Sequence, residues 1–180
     1  MPIYFSNTLN HNPFQFDSVG NHWTQEAVRR TQGYPQYHYL QTEEGCGILV
    51  LDNKEYLLPE GHGVLITPHI PHAYHSATES DWITCFATFG GSLEPQLSHI
   101  FGTERILFTE KEQAAEIKAC IDQSGTHFET EPNNLHQLSC DCYSLLLHFS
   151  GGFVNSNTSD LPWEKYVHPV LKLVEEHYMD

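Results

Sequence analysis

Pro59-Glu60-Gly61-His62-Gly63-Val64-Leu65-Ile66-Thr67-Pro68-His69-Ile70-Pro71-His72-Ala73-Tyr74 is the stretch on which the reading of this chain turns. Pro59 to Gly63 is turn chemistry, and Gly63–Thr67 is a short apolar strand. A second turn from Pro68 to Pro71 interrupts it, and His72–His75 resumes extended structure. Outward in both directions the pattern repeats. Upstream lie strand candidates His22–Arg30, Gln36–Gln41, Gly47–Leu51 and Lys54–Leu58; downstream lies Trp82–Phe89. Each is short and rich in aromatic or β-branched residues. Gly33, Gly45 to Gly47 and Asp52-Asn53 separate them, and Asp52-Asn53 predicts a tight hairpin. Many short strands at close spacing imply a sandwich or barrel over residues 1–91.

Residues 92–152 read differently. Thr109-x-x-Glu112 fits a capping box, and Gly125 is a plausible helix stop. A second helix is expected from near Pro132 to Gly151-Gly152. Within it Leu135, Leu138, Cys142, Leu145 and Phe149 form one apolar stripe. The stripe fits packing against the barrel and equally a helix-pair dimer seam. Residues 153–161 have linker composition. A last helical stretch follows Pro162, with Tyr166, Val170, Leu173, Val174 and His177 on one face. It ends abruptly at Asp180, so the natural protein is expected to continue.

Composition bounds the function. The chain has 180 residues, with 8 Lys+Arg against 23 Asp+Glu and a formal charge of −15. Such a surface repels phosphates, so this segment by itself is a poor nucleic-acid binder. A hydrophobic content of 39% suffices for a core. No apolar run reaches the roughly 18–20 residues of a membrane helix, and the N-terminus lacks signal-peptide character. Five scattered cysteines are then expected as reduced thiols in the cytoplasm.

A small barrel holds one small ligand or is filled by side chains. In Trp82–Phe89 one parity gives Trp82, Thr84, Phe86 and Thr88; the other gives Ile83, Cys85, Ala87 and Phe89. The second set suits packing under helices, and the first suits a polar ligand lying against rings. In the first strand Thr24, Glu26, Val28 and Arg30 share a parity, and Arg30 offers a fork of donors to hydroxyls or a carboxylate. Tyr37 and Tyr39 share a face. Converging tyrosines and a tryptophan could stack on a sugar ring; the bland alternative is barrel filling. Thirteen histidines raise a metal site built from His38, Glu43 or Glu44, His72 and His75. His72 and His75 face opposite sides, so His72 reads better as structural, bonded to nearby backbone. Cys140 and Cys142 diverge on a helix. No nucleophile elbow, P-loop or dinucleotide fingerprint is present.

The Pro59–Tyr74 stretch resembles the second conserved segment of cupin barrels, and more narrowly the sensor domain of AraC-type bacterial transcription regulators. Arg30 before a tyrosine-rich strand, Gly45-Cys46-Gly47, Asp81-Trp82 opening a strand that ends at Phe89-Gly90, and the Tyr166–Tyr178 helix are similar to that family in order and spacing. The resemblance implies a mainly β fold with α: a cupin-like jelly-roll barrel followed by a helical dimerisation segment. It implies a small effector in the barrel, a homodimer through helices 109–150, and DNA contact only through an otherwise missing C-terminal helix-turn-helix domain, of which residues 153–180 are the linker and the start. In the arabinose-responsive member the pocket contacts match Arg30, Tyr74, Thr84 and Phe86 here. The last two depart from its histidine and tryptophan, which argues against arabinose and leaves another sugar or a glycoside. The expected effector residues are Thr24, Arg30, Tyr39, His72, Tyr74, Trp82, Thr84 and Phe86. The cupin metal triad is broken by Gln36 and His38, so neither metal nor cofactor is expected. The rivals are a metal-dependent cupin enzyme, a sugar isomerase or dioxygenase, and a barrel serving only as a dimerisation scaffold.

Overall fold

A computed structural model describes residues 3–6, 12–102 and 104–150. The described residues up to Ser150 form one compact unit. The linker and final helix expected over 153–180 lie outside the described residues. Among the described residues ten strands run in the order β1 (Ile3–Phe5), β2 (Gln15–Thr24), β3 (Val28–Arg30), β4 (Tyr37–Glu44), β5 (Cys46–Leu51), β6 (Lys54–Pro59), β7 (Gly63–Ile66), β8 (His72–Ser76), β9 (Ile83–Gly90) and β10 (Ile106–Thr109). Helix α1 (Leu97–Phe101) precedes β10, and α2 (Lys111–Thr130) and α3 (Leu135–Ser150) follow it.

All strand pairs are antiparallel. They form a six-stranded sheet, β1-β2-β9-β4-β7-β10, and a four-stranded sheet, β3-β8-β5-β6. This is the cupin-like jelly roll, built as two open sheets and not as a continuously bonded barrel. The Asp52-Asn53 hairpin forms as expected. Both residues have left-handed φ, 48° and 61°, and join β5 to β6 across the Leu51–Lys54 pair.

Side-chain alternation gives the large sheet two buried faces. Cys85, Ala87 and Phe89 of β9 pack with Ile117 and Ile121 of α2 and Leu145 and Phe149 of α3. Leu40, Leu49, Leu58, Val64, Ile66, Tyr74 and Trp82 fill the space between the sheets. β4 is buried from Tyr37 to Thr42 because both of its faces are covered.

Several expectations are corrected. The segment read as a strand over His22–Arg30 is two strands in different sheets: β2 begins at Gln15, and the chain leaves the large sheet at Gln25, whose N–H donates to the Trp82 carbonyl at 2.8 Å. The stretch read as helical contains β10, which pairs with β7. Thr109 ends β10 and holds the Tyr39 hydroxyl at 2.8 Å, so it caps nothing; Glu110 is the N-cap, with no side-chain capping bond. Gly125 does not stop α2. It lies mid-helix where a Cβ would come within 3.3 Å of the Tyr4 ring, and the helix runs on to Thr130. α3 starts at Leu135, three residues after Pro132, with the Asn134 side chain accepting the Gln137 N–H at 3.1 Å. The stripe Leu138, Cys142, Leu145 and Phe149 is consumed by packing inside the unit.

Candidate functional site

Edge strand β3 closes one end of the space between the sheets. Its register sets Val28 opposite Tyr74 and Arg30 opposite His72. The cavity there has a volume of about 240 Å³. Arg30, Tyr74, Val28 and His38 form one side, and Trp23, Phe86, Gln25, Glu26 and Ile3 complete it.

Arg30 is held in place by rings. Its guanidinium lies 4.6 Å from the centroid of Tyr34 and 5.7 Å from that of Tyr74. Tyr34 is itself tied down, its hydroxyl donating to Asp17 at 3.0 Å. His72 is 4% exposed, and its Nδ1–H donates to the Ile70 carbonyl at 2.7 Å. That bond fixes the tautomer and leaves Nε2 as acceptor toward Arg30 Nη1 at 3.4 Å. Burial lowers the His72 pKa, opposed by the Ile70 bond, and the Arg30 charge lowers it further. Burial also raises the Tyr74 pKa, against the pull of Arg30. His38 is 3% exposed, and burial, helped by Arg30 and His72, holds it neutral well below the usual histidine range. His38, His72 and Tyr74 stack at centroid distances of 5.9 to 6.2 Å.

Among the residues expected from sequence, Arg30, Tyr74 and Phe86 line the cavity. His72, Trp82 and Thr84 are buried beside it and support the wall. Trp82 meets the Tyr74 ring edge-on at 6.0 Å and donates Nε1–H to Thr42 at 2.9 Å. The Thr84 hydroxyl donates to Gln25 Oε1 at 3.4 Å. Thr24 is exposed and not part of the cavity, because the break after β2 destroys the parity it was expected to share with Arg30. Tyr39 points to the other face of the large sheet, fully buried against Phe149, with its hydroxyl on Gln41 and Thr109. Sequence reading missed Trp23, Gln25, Ile3 and His38 as lining residues. The alternation that put Tyr37 and Tyr39 on one face already put His38 on the other.

A larger open cleft of about 480 Å³ lies between the large sheet and the start of α2. Its one deeply buried carboxylate, Glu43, is spent on Lys118 at 3.0 Å and the His22 N–H at 2.6 Å. Among the described residues, no three His, Cys, Asp or Glu side chains converge as a metal site. Cys140 is exposed and Cys142 buried, diverging as expected.

The family model of the AraC-like ligand binding domain matches residues 16–145. The chain belongs to this family. Nothing among curated protein sequences matches it. Among solved structures it is similar to ligand-free ToxT of Vibrio cholerae, at 15% identity and TM-score 0.53, over 98% of this chain and 68% of that one. A second ToxT structure, bound to (E)-4-(8-methylnaphthalen-1-yl)but-3-enoic acid, has 16% identity and TM-score 0.50 over 93% and 67%. The chain thus spans about two thirds of the length of ToxT. Hydroxypropylphosphonic acid epoxidase of S. wedmorenis matches over 34% of each chain at 27% identity and TM-score 0.30, too little to bear on function.

Proposed function

We propose that this domain senses a small effector in the cavity behind β3 and so controls DNA binding by a C-terminal domain of the full-length regulator. The observation that carries the proposal is the cavity itself. At about 240 Å³ it is smaller than a drug-sized pocket and fits a single ring. Three aromatic rings, Trp23, Tyr74 and Phe86, offer faces for stacking, and Arg30, Gln25, Glu26 and His38 offer hydrogen bonds. That combination favours a carbohydrate. A second reading, an aryl carboxylic acid, is favoured by Arg30 being the cation of the cavity and by the acid bound to ToxT. The mechanism is linkage: an effector that binds one regulator state 100-fold better supplies about 2.7 kcal/mol of coupling. The role is regulatory and not enzymatic, and it would place the protein in the cytoplasm. No helix among the described residues is long and apolar enough to cross a membrane.

A homodimer is part of the proposal, through α2 and α3. Because the stripe of α3 is used internally, the seam falls to Tyr143 and Leu147, one turn apart and 47% and 48% exposed.

The test is the melting temperature across a panel of sugars and naphthylacetic acid, with and without chelator. A ligand at 100 times its Kd adds about 2.7 kcal/mol, or roughly 5–11 °C for a domain of this size. A sugar shift that survives chelator and is lost in Arg30→Ala supports the reading. An unchanged affinity in Arg30→Ala rejects the cavity, and a melting point lowered by chelator alone supports the metal-cupin rival.

A further inference from the structure

One buried polar group of the cavity has no partner among the described residues. His38 lines the cavity from β4, 3% exposed, and no group among the described residues hydrogen-bonds either ring nitrogen. Aromatic neighbours hold the ring: Tyr34 at 5.8 Å, Tyr74 at 6.1 Å and His72 at 6.2 Å between centroids. A phenylalanine would fill that stack equally well. Buried polar atoms are paired as a rule, and an orphaned one costs stability. Its neighbour His72, by contrast, is bonded through both nitrogens, to Ile70 and Arg30. A histidine kept unpaired at the cavity wall is polarity held in reserve for what enters.

We propose that His38 is the polar anchor of the effector and that the ligand group it takes is a hydroxyl. The assignment rests on the cavity being the effector site. A neutral imidazole presents one N–H and one lone pair. A hydroxyl donates and accepts, so it can pair with either ring nitrogen. A carboxylate only accepts, and its charge is answered by Arg30. The effector then lies with a hydroxyl at His38 and its ring against Tyr74, Phe86 and Trp23.

Two measurements on the 180-residue chain test this. The first needs no ligand. His38→Phe removes two orphaned nitrogens without emptying the stack, so its melting temperature should rise by about 2–4 °C. A fall would show that His38 is structurally paired and overturn the proposal. The second is calorimetric titration with D-glucose, D-galactose, D-xylose and the monodeoxy analogues of whichever binds. The unmodified chain should prefer one parent sugar over one deoxy analogue by about 10- to 100-fold. His38→Phe should weaken the parent by the same factor and erase that preference, while Arg30→Ala weakens parent and analogue alike. If His38→Phe keeps both affinity and preference while Arg30→Ala loses binding, the anchor is wrong and the cavity reading stands. If neither variant changes binding, the cavity reading falls with it. If naphthylacetic acid binds and no sugar does, the hydroxyl assignment is overturned.

Discussion

Replacing Gly47 with alanine is expected to lower stability sharply, although the change adds one methyl group. Gly47 lies on β5 beneath the Trp82 indole. A Cβ there would stand 2.1 Å from Cζ2, 2.4 Å from Cε2 and 2.5 Å from Cη2 of that ring. Ordinary contact begins near 3.4 Å, so the ring must recede by about 1.3 Å. It has no free space for this: Trp82 is 1% exposed and packs edge-on against Tyr74. Its Nε1–H donates to Thr42 at 2.9 Å, and the Thr42 hydroxyl donates to the Leu58 carbonyl at 2.7 Å. Overpacking costs about 1–3 kcal/mol, and a buried N–H stripped of its acceptor costs about 1–3 kcal/mol more. At 2–4 °C per kcal/mol for a domain of this size, the melting temperature should fall by roughly 5–20 °C. Differential scanning calorimetry measures this directly. Combining Gly47→Ala with Trp82→Leu should cost less than the two changes added together, because the smaller side chain vacates the clash. A single variant melting within about 2 °C of the parent, or strictly additive effects, would refute the placement of the indole over Gly47.

Stability should also fall on acidification. In the unfolded chain both buried histidines take a proton near pH 6.5, whereas in the fold His38 is held well below that value and His72 below it. Below pH 6.5 the unfolded state binds more protons, so stability drops by up to about 1.4 kcal/mol per pH unit for each histidine until the folded pKa is passed. Urea midpoints from pH 7.5 to pH 5 give the slope, and His38→Phe should flatten it. Lys118→Met leaves the Glu43 carboxylate, 3% exposed, without its lysine and held by His22 alone, through the backbone N–H at 2.6 Å and the imidazole at 3.2 Å. Lys118 keeps contact with solvent, so the loss is set at about 1–3 kcal/mol by urea titration, below that of a fully buried pair. For the proposed homodimer, Leu147→Glu should give monomer in sedimentation equilibrium with unchanged circular dichroism; a variant that stays dimeric, or a parent chain that sediments as a monomer, would reject that seam.

Local chemistry in the chain was enough for much of this. Asp52 and Asn53 accept left-handed φ, so the hairpin is written where it occurs. The Pro-rich turns around Gly63–Ile66 isolate short strands, and the alternation in Trp82–Phe89 separates the helix-packed face from the inner one. Arg30 and Tyr74 are legible because β3 and β8 are short strands whose types and order match a known pattern. What stayed illegible depended on distant partners. β10 is four residues that become a strand because β7 offers an open edge. Gly125 looks like a helix stop and is in truth room for Tyr4. Tyr39 and His38 are neighbours of similar aromatic character. Strand periodicity sets them on opposite faces, but only the docking of α3 decides that Tyr39 faces Phe149 and His38 the cavity. Sequence determines what alternates; tertiary packing determines which side is inside, because that choice belongs to the elements that cover the sheet.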